Sequence, residues 1–290
     1  MPDPIHLKIK TTDNFSIGLV SYSPSIAPTN VIIIGGAMGV KQSFYRHFAA
    51  HLTEKGSVVY TFDYRGIGAS KDKSLSKYKT KLTDWAEKDL ASVIKYASNE
   101  HSGLELNYVG HSLGGQLIAL TNESKEFNKI VLIGAQLGYW KLWTGLERKR
   151  MFIFWHFIIP FFTLIFGYFP GFLMGSENIP AGVALEWAKW GRTKGAFFSY
   201  HKELYNKIEL IRARMLSISF SDDKFAPKIA VSKLNAKFFN VQLLHYHLTP
   251  EEVGVNKIGH LGYFRTHKDD VMWQKLTNWL MGDRYGIKNR

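Results

Sequence analysis

Short apolar runs alternate with stretches of helical periodicity along most of the chain. Apolar runs bounded by turn residues predict strands, and these cover residues 31–34, 57–62, 105–109, 130–133, 215–220 and 242–246. Helices are predicted between or after them, over residues 43–55, 82–97, 116–122 and 269–280. An alternating pattern over residues 7–10 and 15–22 adds an N-terminal hairpin around Thr12-Asp13-Asn14. Because strands and helices alternate, we expect an α/β protein whose mostly parallel sheet carries helices on both faces.

One long segment interrupts this alternation. Residues 138–206 are rich in aromatic side chains and carry turn signals at 167–171. We therefore predict a core of residues 1–137 and 207–290, with 138–206 inserted as an aromatic-rich helical cap, or lid. Within the cap, residues 151–176 contain no Asp, Glu, Lys or Arg, a length that also fits a transmembrane helix. Two prolines and a histidine inside that stretch argue against this reading.

The composition is that of a globular protein with an excess of positive charge. Of the 290 residues 46% are hydrophobic, none is cysteine, and the formal net charge is +13. The lack of cysteine excludes disulfides and cysteine nucleophiles, and no metal site or cofactor is expected. Positive charge favours anionic partners, but no nucleic-acid-binding motif accompanies it. Arg148-Lys149-Arg150, directly before the uncharged stretch, favours peripheral contact with an anionic membrane. The N-terminus lacks the apolar core of a signal peptide, which favours a cytoplasmic location.

The motif Gly110-His111-Ser112-Leu113-Gly114-Gly115 directly follows a predicted strand and precedes a predicted helix. In that context G-x-S-x-G forms a nucleophile elbow, whose glycines leave room for a tight turn and close helix packing. The elbow places the serine at a helix N-terminus, where backbone N–H groups favour a developing negative charge. Ser112 is therefore the candidate nucleophile, and we expect His111 to be structural.

A serine hydroxyl becomes an effective nucleophile when a histidine accepts its proton and an acid orients that histidine. Of the eleven histidines, His260 lies in a loop after the last predicted strand. Two neighbouring acids, Asp222 and Asp223, follow the strand before it. The residue pattern leaves both open as the acid partner.

Four segments together resemble the α/β-hydrolase superfamily, on the branch that includes serine aminopeptidase-like and monoacylglycerol-lipase-like enzymes. They are Asp63-Tyr64-Arg65-Gly66-Ile67-Gly68-Ala69-Ser70, the elbow 110–115, Asp223-Lys224-Phe225-Ala226-Pro227 and Gly259-His260. The resemblance implies the α/β-hydrolase fold and a Ser112-His260-Asp223 triad, since the family's acid lies four residues before a proline. Asp222 is the alternative acid, or a cap for the following helix. The resemblance also implies that Asp63 and Arg65 form a structural turn.

The resemblance further implies an oxyanion hole of two backbone N–H groups. One is that of Leu113, which follows the nucleophile. The other comes from Gly35-Gly36-Ala37-Met38-Gly39, where relatives usually have His-Gly before the donor. Aligning Gly36 with that glycine makes Ala37 the donor, with Met38 next to it.

The expected function is that of a serine hydrolase acting on carboxylic esters. An aromatic cap favours a small-molecule or lipid-like substrate with an apolar acyl or aryl group. Met38, Trp187 and Trp190 are the candidate pocket residues. His245 and His247 share one face of a predicted strand, a spacing compatible with metal binding, but no carboxylate pair accompanies them, so we expect core or surface histidines.

Two other classes of protein remain open. A membrane-associated lipase or acyltransferase could use the uncharged stretch as a span, although a single crossing would separate Ser112 from Asp223 and His260. A non-catalytic binding protein of the same fold usually lacks a triad member, and all three candidates are present here.

Overall fold

The computed structural model describes residues 3–201, 203–265 and 271–282. The strands are β1 Ile5–Lys10, β2 Ser16–Tyr22, β3 Asn30–Gly35, β4 Ser57–Phe62, β5 Glu105–His111, β6 Lys129–Ile133, β7 Tyr168–Phe169, β8 Ile179–Pro180, β9 Arg214–Phe220 and β10 Gln242–Leu248. Eight of them form one sheet in the order β1-β2-β4-β3-β5-β6-β9-β10, while β7 and β8 pair separately. β1 and β2 are antiparallel to their neighbours, and the remaining strands of the large sheet are parallel. The predicted α/β architecture is confirmed.

The helices cover both faces of this sheet. They are α1 Arg46–Glu54, α2 Leu82–Asp84, α3 Ala91–Glu100, α4 Leu113–Leu117, α5 Gly145–Ile153, α6 Ile159–Phe166, α7 Ala181–Arg192, α8 Leu204–Glu209, α9 Lys228–Asn235 and α10 Val271–Met281. A π-helical segment, Trp85–Leu90, joins α2 to α3, and a second, Phe154–Ile158, joins α5 to α6. The first residues predicted for the closing helix, 269 and 270, lie outside the described residues.

Two hydrophobic cores lie on opposite faces of the sheet, because successive side chains of a strand point to opposite sides. In β3, Val31 and Ile33 belong to one core and Ile32 and Ile34 to the other, and all four are at most 1% exposed. Strands buried on both faces are typical of a parallel sheet covered by helices. This arrangement places the carboxyl ends of β3, β5, β6 and β9 along one edge, from which the loops carrying the candidate residues emerge.

The helix predicted after the elbow begins earlier and ends earlier than its sequence pattern indicates. Its α-helical part, α4, starts directly after Ser112 and ends at Leu117, and a tight helical turn continues to Leu120. The predicted N-terminal hairpin is present, and Asn14 in its turn has a φ of +61°.

Four of these helices, α5 to α8, lie between β6 and β9 in the chain. The helix Gly145–Phe166 comprises α5, the π-helical segment and α6, and it is long and apolar enough to cross a membrane by length and composition. Its mean hydropathy is 1.4 over the most apolar window, of which 22% is buried. On its inner side Trp155 packs against Trp187 of α7, with ring centroids 4.5 Å apart.

Candidate active site

Ser112 lies in a strained turn between β5 and α4. Its φ is +52°, a positive value that residues other than glycine rarely adopt. A Cβ on Gly114 would overlap the carbonyl oxygen of Gly35, and one on Gly115 would lie 2.5 Å from the Cβ of Ala135. The glycines of the motif are therefore required by close backbone packing, as expected for a nucleophile elbow.

The structure brings the three predicted triad residues together. The Ser112 hydroxyl lies 2.8 Å from Nε2 of His260, and Nδ1 of His260 lies 2.7 Å from Oδ2 of Asp223. With the Nδ1 hydrogen donated to the carboxylate, Nε2 is the acceptor that a serine hydroxyl needs. Ser112 follows β5, Asp223 follows β9 and His260 follows β10, so the topology of the sheet places them at one edge.

Asp223 is held in its ionised form although it is buried. It is 4% exposed, and its second oxygen, Oδ1, accepts hydrogen bonds from the backbone N–H groups of Phe225 at 2.8 Å and Ala226 at 3.0 Å. Burial alone would raise the pKa of this carboxyl, but the positive charge of protonated His260 and these hydrogen bonds outweigh it and hold the pKa below its usual value. Asp223 can therefore orient His260 and stabilise its protonated form.

Asp222 has a different role from either alternative suggested by the sequence. Its carboxylate accepts hydrogen bonds from the backbone N–H groups of Ile258 at 2.9 Å and Gly259 at 2.9 and 3.0 Å. It therefore anchors the loop that carries His260. It does not cap the following helix, which begins at Lys228 after Pro227 without a side-chain cap.

The predicted oxyanion donor Ala37 is engaged elsewhere. Its backbone N–H donates to the hydroxyl of Tyr45 at 2.9 Å, so in this structure it is not free to bind an oxyanion. Within the described part of the chain, neither the N–H of Met38 nor that of Leu113 has a hydrogen-bond acceptor. Both Met38 and Ser112 line the same cavity. The candidate for the second donor is therefore Met38, one residue after the position that the alignment with relatives gave.

Tyr45 and His111 link the loop of residues 35–39, called the oxyanion loop after its proposed role, to the backbone of His260. The Tyr45 hydroxyl lies 2.9 Å from Nδ1 of His111, and Nε2 of His111 lies 2.9 Å from the carbonyl oxygen of His260. The carbonyl only accepts, so Nε2 carries the hydrogen and Nδ1 accepts from Tyr45. Burial, together with the nearby charge of His260, lowers the pKa of His111 to about 3. His111 is structural, as predicted, but Tyr45 carried no sequence signal.

A cavity of about 710 Å³ opens beside Ser112. Its lining includes the apolar side chains of Met38, Val40, Met174, Trp187, Phe225 and Leu261. Trp187 therefore lies where it was predicted. Trp190 does not, because it lies almost one turn further along α7 and packs against Phe197, with 2% of its surface exposed.

The remaining predicted polar residues have structural contacts. Asp63 accepts hydrogen bonds from the backbone N–H groups of Gln42 at 2.8 Å and Ala69 at 2.9 Å, and Arg65 pairs with buried Asp89 at 2.6 Å. The structural turn expected at Asp63 and Arg65 is confirmed.

His245 and His247 share one hydrogen-bond partner. Each has a ring nitrogen 2.8 Å from the hydroxyl of Ser219. Among the described residues no group of three His, Cys, Asp or Glu side chains is placed to hold a metal ion.

Comparison with known proteins finds hydrolases. Residues 27–162 match the family model described as serine aminopeptidase, S33. The structural match with an esterase from Exiguobacterium antarcticum covers 97% of this chain and 100% of that one, with a TM-score of 0.62 at 15% identity. The chain has the α/β-hydrolase fold. The Pyrococcus furiosus esterase Pf2001 gives a TM-score of 0.61 at 15% identity, over 97% of this chain and 90% of that one.

One curated relative of this chain is a monoacylglycerol lipase from Mycolicibacterium smegmatis (strain ATCC 700084 / mc(2)155). The two are 28% identical over 115 residues, which is 39% of this chain and 40% of that protein. The match thus spans about two fifths of the relative's length. Hydrolases of esterase and lipase type are therefore the proteins that this chain resembles.

Proposed function

We propose that this α/β-hydrolase is a serine hydrolase that cleaves carboxylic esters with an apolar acyl or aryl group. The observation that carries the proposal is the hydrogen-bonded chain from Asp223 through His260 to Ser112 beside a largely apolar cavity. A buried acid, an oriented imidazole and a serine at a helix N-terminus are the parts that acyl transfer requires.

The proposed reaction proceeds in two steps through an acyl-enzyme. Ser112 Oγ attacks the ester carbonyl while His260 Nε2 takes its proton, and the N–H groups of Leu113 and Met38 bind the oxyanion that forms. His260 then gives the proton to the leaving alcohol, which leaves an ester on Ser112. A water molecule, deprotonated by His260, attacks this ester and releases the carboxylic acid and the free serine.

The apolar part of the substrate is assigned to the cavity walls supplied by Met38, Met174 and Trp187. Apolar groups gain free energy when they leave water for such a pocket. Two of these side chains come from residues 138–206, so we propose that this segment acts as the lid of the site.

The proposal is tested by hydrolysis of p-nitrophenyl esters with acyl chains of two to sixteen carbons, using wild type and Ser112→Ala. We expect a Ser112-dependent optimum at medium or long chains, because longer chains bury more apolar surface. Labelling by a fluorophosphonate probe is expected to be lost in Ser112→Ala and kept in the control Ser221→Ala. A folded wild type that neither turns over any ester nor takes the label would support a non-catalytic binding protein.

We also propose that this cytoplasmic hydrolase touches anionic membranes through the outer side of the helix Gly145–Phe166. That side exposes Phe157, Phe161 and Leu164, the last with 86% of its surface exposed, and Arg148-Lys149-Arg150 lies near its start. Apolar side chains beside cations suit an interfacial helix on anionic lipid. A single crossing of the bilayer would separate Ser112 from His260, whose atoms lie 2.8 Å apart.

The membrane proposal is tested by vesicle flotation with and without anionic lipid. Wild type is expected to float with anionic vesicles. The double variant Phe161→Ser, Leu164→Ser is expected to float less and to hydrolyse a short soluble ester at the wild-type rate. Cell fractions that retain the protein after both high-salt and carbonate washes would contradict a peripheral contact.

A further inference from the structure

We propose that the ester cleaved by this protein carries a negatively charged group, a phosphate or carboxylate, on its alcohol part. Lys224, Lys257 and Arg265 at the mouth of the catalytic cavity would bind that group. The inference rests on the proposed ester hydrolysis and adds the substrate class.

The cavity beside Ser112 has an excess of positive charge. Lys224, Lys257 and Arg265 all line it, and the one carboxylate among its described lining residues is Asp222. Both oxygens of Asp222 already accept backbone hydrogen bonds, so this side chain is fixed in the loop. Three cations therefore face a cavity whose single acid is held by other contacts.

None of the three cations has a close carboxylate partner of its own. The Lys224 ammonium is 3.7 Å from Oε1 of Glu147, an oxygen that Arg150 already contacts at 2.8 Å. Within the described ranges, Lys257 and Arg265 have no ion pair, and the Arg265 guanidinium lies 5.8 Å from the ring centroid of Phe44. The three groups are thus available to an anion from solution.

Their place in the chain indicates which part of the substrate they face. Lys224 is next to Asp223, and Lys257 and Arg265 flank His260 within the loop that carries it. His260 protonates the leaving oxygen, so the alcohol part must lie on the His260 side of the scissile bond. A charged group near these residues would consequently belong to the alcohol, while the acyl chain contacts the apolar residues of the lid.

The expected size of the effect follows from the exposure of these side chains. Lys224 is 72% exposed, and the other two cations are also exposed, so each contact is weak in water. A phosphate monoester carries between one and two negative charges at neutral pH, and three weak contacts add to a focused positive potential. We expect a preference of about tenfold in kcat/KM for the charged ester.

The test uses 1-octanoylglycerol and 1-octanoylglycerol 3-phosphate, which differ only in the phosphate, each below its micelle-forming concentration. Release of octanoate is measured for the wild type and for one triple variant, the cavity variant, which combines Lys224→Gln, Lys257→Gln and Arg265→Gln. The matched control removes three exposed cations outside this cavity, through Lys71→Gln, Lys125→Gln and Lys233→Gln.

The wild type and the control are expected to prefer the phosphate ester about tenfold, and the cavity variant to lose that preference while cleaving the neutral ester within about twofold of wild type. About 0.5 M salt should remove the preference of the wild type, because exposed charges are screened. Glycerol 3-phosphate should inhibit wild type competitively and the cavity variant only weakly.

Three results would overturn the inference. One is equal cleavage of both esters by the wild type, and another is an equal loss of preference in the control variant. The third is a cavity variant that keeps the preference but no longer binds anionic vesicles, since the cations would then serve a membrane surface. These results are distinct from failure of the proposed function, in which Ser112-dependent cleavage of p-nitrophenyl esters is itself missing.

Discussion

Substitution of Tyr45 by Phe tests whether the oxyanion loop depends on a buried hydroxyl. The Tyr45 hydroxyl accepts from the N–H of Ala37 and donates to Nδ1 of His111, both at 2.9 Å. Tyr45 is 1% exposed and His111 is fully buried. Tyr45→Phe keeps the ring and removes both hydrogen bonds, so it leaves one buried donor and one buried acceptor without a partner.

The magnitude follows from these two orphaned groups. A buried donor or acceptor that loses its partner costs about 1–3 kcal/mol, so we expect the free energy of unfolding to fall by about 2–6 kcal/mol for the two groups. The N–H of Met38 follows Ala37 in the loop that loses its support. Because small displacements of a catalytic group are costly, kcat should fall about tenfold or more, while KM for a short ester stays within about threefold.

The assay combines urea unfolding with steady-state kinetics on a p-nitrophenyl ester, and Tyr60→Phe is the matched control. Tyr60 also bonds to a histidine, with its hydroxyl 2.8 Å from Nε2 of His101, but it belongs to the core on the other face of the sheet. We expect Tyr60→Phe to lose about 1 kcal/mol of stability and to keep the wild-type kcat.

An unchanged or higher kcat in Tyr45→Phe would refute the reasoning. Removal of the hydroxyl frees the N–H of Ala37, so such a result would mean that Ala37 can serve as the oxyanion donor. It would also mean that the loop keeps its position without Tyr45.

Three further predictions concern the same site. Met38→Pro, which removes the assigned N–H, should lower kcat about 10²–10³-fold in ester assays, whereas Met38→Leu should stay near wild type. Asp223→Asn should lower kcat about 10³–10⁴-fold because His260 loses its orienting acceptor. Asp222→Asn should lower kcat about tenfold or less, so equal losses of kcat in the two variants would contradict the choice of Asp223 as the triad acid. The pKa of His111 is lowered from 6.5 to about 3, so neutral His111 favours the folded state above pH 6.5 and this contribution is lost as the pH falls towards 3. The contribution is at most about 5 kcal/mol in the wild type. The free energy of unfolding from urea titrations should therefore fall less with acid in His111→Gln than in the wild type.

The sequence predicted those features that local patterns determine. Apolar runs located six strands of the large sheet, and an alternating pattern located the other two. The glycines around Ser112 identified the turn because only they allow its backbone packing. The order of serine, acid and histidine along the chain then matched the edge at which the parallel strands end. The family pattern selected Asp223 over Asp222, and the 2.7 Å contact with His260 agrees with that choice.

What the sequence missed depends on contacts between distant segments. The N–H of Ala37 is occupied because a tyrosine eight residues later folds back beneath the loop, and no spacing rule signals such a contact. Trp187 and Trp190 are both aromatic residues of α7, so the sequence does not distinguish them. In the structure Trp187 lines the cavity, whereas Trp190 packs against Phe197. The anchoring role of Asp222 likewise requires a loop 36 residues away.

The elbow motif determines more of the site than the position of its serine. Ser112 faces the cavity, while its neighbour His111 lies behind it and bonds to Tyr45 on one side and to the carbonyl of His260 on the other. The loop that contains Ala37 and Met38 and the loop that carries His260 are thereby tied to the same turn. Such a connected centre leaves little room for variation, so differences in substrate choice should arise from residues 138–206 and from Lys224, Lys257 and Arg265. Exchanging residues there should accordingly change KM and chain-length preference more than the rate of acyl-enzyme formation.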